Sequence, residues 1–236
     1  MDAYESAAAR ILSQIQATYV PTHNYVEVSS DEFRHLNLRF YERTLSDLAK
    51  MGFRHLTDFE DTTLTNVPGT IFPRIMIRSM LSPDGTIMAA AYDLKVKMLW
   101  RVVLTLLRQK LKPVIDFETE YSDGTFVVTS NGEAASSMKT PPMIIAEYLP
   151  AGTPVKEVFA RHLRCLEAVE AVNPSATRRS FANREEIVLA QNRMNAIKAA
   201  YRQELGGISV EELRAAFGRQ SDVSSRIREK IQEMRT

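Results

Sequence analysis

The residues best suited to chemistry lie close together in VIDFETEYSDGTFVVTSN, residues 114–131. Asp116, Glu118 and Glu120 alternate there, and side chains two apart on a strand share a face. Neighbouring carboxylates can divide the roles of acid and base when their surroundings push their pKa values apart. A Ser-Asp-Gly-Thr sequence follows, and Asp-Gly marks a hairpin whose turn needs positive φ. With a two-residue turn at Asp123-Gly124, Glu120 faces Val127, Glu118 faces Thr129 and Asp116 faces Asn131. That register puts Ile115, Phe117, Tyr121, Phe126 and Val128 on one side. Asp116, Glu118, Glu120, Thr129 and Asn131 fall on the other, which reads as the solvated face of a sheet. Asp58, Glu60 and Asp61 on an earlier strand, with Arg74 and Arg78 on the next, extend this polar surface. The candidate binding face is therefore Asp58, Glu60, Arg74, Arg78, Asp116, Glu118, Glu120, Thr129 and Asn131, suited to a basic partner or a polar ligand. Alternation alone accounts for the acids, so no catalytic residue is assigned.

Other chemistries find less support. The chain has no His-x-His, Cys-x-x-Cys or His-Glu-x-x-His spacing to supply a metal set, and no glycine-rich phosphate loop. A Gly-x-Ser-x-Gly nucleophile turn is also missing. The expectation is no metal and no cofactor, with enzyme activity left open behind a non-catalytic reading. His23, His35, His55 and His162 share no ligand spacing, and His162 lies on an apolar stripe, where packing is the simpler role. Cys165, the one cysteine, reads as a small buried thiol beside Leu163 and Leu166.

One segment departs from ordinary patterning. Residues 94–112, LKVKMLWRVVLTLLRQKLK, carry only basic charges around an apolar run. If the segment is helical, Leu99, Val103, Leu106 and Leu107 line one side, with Trp100 and Arg108 beside them. A wide apolar arc points to a helix covering the sheet. The alternatives are a helix lying on a membrane surface or one taken up by a partner. The run 98–107 is too short to span a bilayer.

These residues need a scaffold, and composition allows one. The chain has 236 residues, 44% of them hydrophobic and 25% charged, enough for a core without disulfide or metal. Thirty basic against 29 acidic residues argue against nucleic-acid binding. A single cysteine and an N-terminus without a basic-then-apolar pattern suggest a cytoplasmic protein, free or peripheral to a membrane.

Apolar spacing predicts a helix over 3–19 and a second from Ser29, where Ser29 and Glu32 form a capping box, to Met51. FRHLTDFE then leaves as a strand. Two Asp-Gly hairpins follow, and MIIAEYLP adds a strand, giving an antiparallel sheet of about six strands. Helices are expected over 154–170, 182–205 and, after a Ser209/Glu212 capping box, 209–217, with a helix-competent but weakly apolar tail over 221–236, exposed or frayed. The stripe Ile187, Ala190, Met194, Ile197 and Tyr201 should pack inside the protein, on its core or on the 154–170 helix. The fold class is α+β: a sheet domain over 1–150 with N-terminal helices, and C-terminal helices over 151–236 packed on it. The functional expectation is a non-catalytic interaction protein, inhibitor-like or adaptor-like, with a protein partner and a monomeric or weakly dimeric state. A lipid-handling protein using 94–112 and an enzyme with dispersed site residues are the alternatives.

Overall fold

Strands form where Ile, Val, Phe, Tyr and Met alternate with other residues, because such side chains pack well on a pleated surface. The computed structural model describes residues 3–67, 74–95, 112–132, 138–217 and 221–234. Its strands are β1 (Tyr25–Glu27), β2 (Arg54–Asp61), β3 (Met76–Leu81), β4 (Met88–Tyr92), β5 (Val114–Glu120), β6 (Phe126–Ser130) and β7 (Ile144–Tyr148). They form a seven-stranded sheet in chain order. Every pairing is antiparallel except β6 with β7, which is parallel. A parallel neighbour requires a long connection in place of a turn, and thirteen residues separate Ser130 from Ile144 in the sequence.

The helices are α1 (Ala3–Thr18), α2 (Leu38–Ala49), α3 (Thr62–Thr65), α4 (Val155–Val172), α5 (Arg184–Glu204), α6 (Val210–Phe217) and α7 (Ser221–Glu233). The fold is α+β, as the sequence indicates. Helices α2 and α4 cover one sheet face, burying Tyr41, Leu48, Val158 and Leu166 against Met76, Met80, Ile115, Phe117 and Val127. Helix α5 covers the second face. Its Ile187 and Ala190 meet Leu81 and Met88, and its Met194 meets Phe126 and Ile144. The 187–201 stripe thus packs on the protein's own sheet.

Three expectations are revised. The Ser29/Glu32 capping box forms, but it opens only a short 3₁₀ turn, Ser30–Phe33. Helix α2 begins separately, with Asn37 as its N-cap. The tail is not frayed: Ile227 and Ile231 of α7 are buried against Ala8 and Ile15 of α1, a partner too distant in sequence to be read locally. Across the acidic hairpin, Glu120 pairs with Phe126, Glu118 with Val128 and Asp116 with Ser130. The loop holds three residues, closed by a Tyr121 N–H to Thr125 O bond of 2.8 Å, with Gly124 at φ 87°. That is one residue off the two-residue reading, and such a slip turns all of β6 over. Phe126, Val128 and Ser130 therefore share the face of the acids, while Val127 and Thr129 lie opposite. Finally, Leu99, Trp100, Val103, Leu106, Leu107 and Arg108 lie outside the described residues.

Candidate functional site

The proposed polar face is divided between the two sides of the sheet. On the α2 side, Arg78 donates from Nε and Nη2 to both Asp58 oxygens at 2.9 and 2.8 Å, and from Nη1 to Glu42 at 2.8 Å. Burial raises the Asp58 carboxyl, but hydrogen bonds from Arg78 and His55 outweigh it, leaving the group below its ordinary value. Arg74 likewise holds Glu60, at 2.7 Å, and Glu32. Thr129 is buried, 3.1 Å from Nδ1 of His162, whose Nε2 lies 3.0 Å from Thr119 Oγ1. Burial lowers His162 to about 3, so it is a neutral, packed imidazole. Asn131 braces the backbone, accepting from Ile115 N–H and donating to Thr153 O. These residues are paired with one another and hold elements together.

The acids of β5 face the other way, beneath α5. This overturns the solvated-face reading: Glu118 is 7% exposed and Glu120 is 1% exposed. Glu120 is neutralised by Arg193, at 2.7 and 2.6 Å. Asp116 and Glu118 instead line a cavity of about 290 Å³ between the sheet and α5. Strand geometry sets their Cα atoms about 6.6 Å apart on the same side. Apolar walls come from Phe59, Ile77, Met88, Ile187 and Met194, and polar groups from Tyr25, Tyr92, Gln191, Asn195 and Lys198.

Five ionisable groups there, Tyr25, Tyr92, Asp116, Glu118 and Lys198, are displaced from their usual behaviour. Tyr92 donates to Asp116 Oδ2 at 2.7 Å, while Asp116 Oδ1 is buried with no partner among the described residues. Burial raises Asp116, against the pull of Ser130, Tyr92 and Lys198. Burial and the Asp116 charge push Glu118 up to about 7, although Gln191 donates to it and Lys198 lies near. Burial lowers Lys198, although both carboxylates pull it upward. Its ammonium makes no hydrogen bond or ion pair among the described residues, so a gap separates it from the two acids. At one end of the cavity His23 Nδ1 lies 2.6 Å from Asp61 Oδ2, and Asp61 Oδ1 caps α3. A second cavity of about 310 Å³ adjoins the first, and His23, Leu64, Asn195 and Lys198 line both.

Of the nine residues proposed for a binding face, the structure brings only Asp116 and Glu118 to this cavity. Lys198, Tyr92, Tyr25, Gln191 and Asn195 were missed. A signal for the α5 group existed: Gln191, Asn195, Lys198 and Arg202 recur at steps of four, three and four beside the apolar stripe. A polar row at helical period next to a buried face marks a wall that meets something polar. Among the described residues no group of three or more His, Cys, Asp or Glu side chains is placed to hold a metal ion. No described helix is long and apolar enough to cross a membrane. Comparison with protein-family models, curated proteins and solved structures gave no match.

Proposed function

We propose that the chain is a small-molecule-binding protein whose site, the cavity between the sheet and α5, is equipped for acid–base chemistry on its ligand. The observation that carries this reading is the juxtaposition of Asp116, Glu118 and Lys198 in an apolar-walled cavity, with no hydrogen bond or ion pair to the lysine among the described residues. Displaced pKa values in a cleft are characteristic of functional sites, and a carboxyl raised to about 7 can both give and take a proton near neutrality. The cavity is near the lower end of ligand-site volumes, about 300 Å³, so the ligand is small.

The experiment is a thermal-shift panel of small, uncharged polar compounds at pH 7. A ligand at a hundred times its Kd should add about 2.7 kcal/mol of stability to the wild type. Glu118→Gln and Lys198→Met should weaken that response. Shifts of equal size in all three proteins would place binding elsewhere and end the proposal.

A second reading, the interaction protein, is favoured by a separate observation. Met143 and Ile145, beside and within edge strand β7, are 41% and 42% exposed. An extended segment of a protein partner could add to that edge. Ile145→Lys should then abolish the association and leave the melting curve unchanged.

A further inference from the structure

The identity of the ligand can be narrowed by charge. A cation entering the cavity would compete with Lys198 for the two carboxylates. An anion would meet Asp116, Glu118 and Asp61 together, and like charges in a poorly solvated space repel strongly. An uncharged group that accepts a hydrogen bond meets neither difficulty. It can bridge the gap between Lys198 and the acids, while its remainder lies along Phe59, Ile77 and Met88.

Resting on the binding reading above, we propose that the ligand is an uncharged aldehyde or ketone with an apolar substituent, and that Lys198 Nζ forms an imine with it. A lysine desolvated in an apolar pocket is the environment in which amines act as nucleophiles toward carbonyls. In the step, the neutral amine adds to the carbonyl carbon and forms the C–N bond, while the C=O π pair moves to oxygen. Protonated Glu118 gives that oxygen a proton, and the nitrogen returns one to the Glu118 carboxylate, leaving a carbinolamine. A second protonation of the hydroxyl by Glu118 breaks the C–O bond and releases water. Loss of the nitrogen proton to a carboxylate completes the imine. Ketone plus amine thus gives imine plus water, with no oxidation or reduction.

The groups around the lysine fit this sequence. Glu118 and Asp116 approach from β5, Tyr92 from β4, and Gln191 and Asn195 from α5 itself. Tyr19, Lys139, Tyr148 and Arg202 line the adjoining cavity, which shares His23 and Lys198 with the first. Asp61 and Tyr25 close the first cavity beyond His23. Among these, burial holds Lys198 below its ordinary value and keeps Glu118 protonated up to about 7. The two shifts together favour the neutral amine and neutral acid that the first step requires.

Reductive trapping tests the proposal. The full chain is incubated at pH 7 with 2-hexanone and cyanoborohydride, and adducts are located by peptide mass spectrometry. A ketone is chosen because surface lysines react with it slowly. A lowered ammonium carries more neutral amine near pH 7, so Lys198 should be labelled well above the exposed Lys50 and Lys156. Lys198→Arg should lose that adduct and keep the background labelling and the cooperative melt. Glu118→Gln should slow trapping at Lys198 and remove the dependence on a group titrating near pH 7. Label spread evenly over the lysines, or absent from Lys198 in the folded protein, overturns the imine. If thermal shifts by uncharged compounds still depend on Glu118 and Lys198 while trapping fails, the imine falls and the binding reading stands. If neither is seen, both fall.

Discussion

Two buried titratable groups give the molecule opposing responses to acid. Glu118 is raised from an ordinary 4.5 to about 7, so the folded chain holds a proton that the unfolded chain has released within that window. Stability therefore falls as pH rises from 4.5 to 7, by an amount on the order of 3 kcal/mol that is absent below the window. His162 is lowered from 6.5 to about 3, so its contribution is complete above 6.5 and is lost as pH falls. Between 4.5 and 6.5 the two slopes are each about 1.4 kcal/mol per pH unit and opposite in sign. Denaturant titrations across this range should show the two contributions nearly cancelling in the wild type. Glu118→Gln should lose stability on acidification, and His162→Gln, which keeps hydrogen-bonding capacity, should gain it. Parallel profiles for all three proteins would contradict the assigned shifts. Lys198 was legible only as a member of the polar row Gln191, Asn195, Lys198 and Arg202, because alone between Ile197 and Ala199 it looks like ordinary solvent-facing polarity. Only the distance between α5 and the sheet makes it a cavity residue.

At the scale of elements, the two hairpins distinguish backbone strain from crowding. Gly124 and Gly85 both have positive φ, at 87° and 74°. A Cβ on Gly124 would meet only Met143 Cε at 3.6 Å, whereas one on Gly85 would lie 2.7 Å from the Phe181 carbonyl oxygen. Gly124→Ala should cost about 1–2 kcal/mol from strain alone, and Gly85→Ala more, because the loop must also move away from Phe181. Chemical denaturation measures both, and equal costs would mean that the Phe181 segment yields freely. Helix α7 gives a third prediction. Ile231 is fully buried, and Ile231→Ala should cost about 2–5 kcal/mol, where a frayed tail would lose nothing. Capping boxes at Ser29/Glu32 and Ser209/Glu212 were readable because their partners lie three residues apart. The hairpin register was not. Asp-Gly alone leaves open whether Ser122 belongs to the strand or the loop, and one residue decides which face of β6 meets the acids. The α1–α7 contact was also hidden, since it joins opposite ends of the chain.

For the whole molecule, α+β class and element order follow from pattern, but the position of α5 does not. A sheet read as wet on one face is covered on both, and the covering helix supplies Gln191, Asn195 and Lys198 to the candidate site. Met194, 2% exposed, is packed between this helix and the Phe126–Ile144 surface, so the 187–201 stripe is used within the chain. Met194→Glu should therefore abolish cooperative unfolding by circular dichroism. Folded monomers released from a wild-type dimer, seen by sedimentation, would instead show that the stripe joins two copies.

The late place of α5 in the chain also matters during synthesis. All seven strands have been translated by Tyr148, but the helix that roofs the second face ends at Glu204. At about 5–20 residues per second, the nascent chain spends several seconds with Leu81, Met88, Phe126 and Ile144 uncovered beside unneutralised carboxylates. During that interval the growing polypeptide presents the sticky surface that chaperones recognise, and the ribosome's pace becomes a determinant of yield.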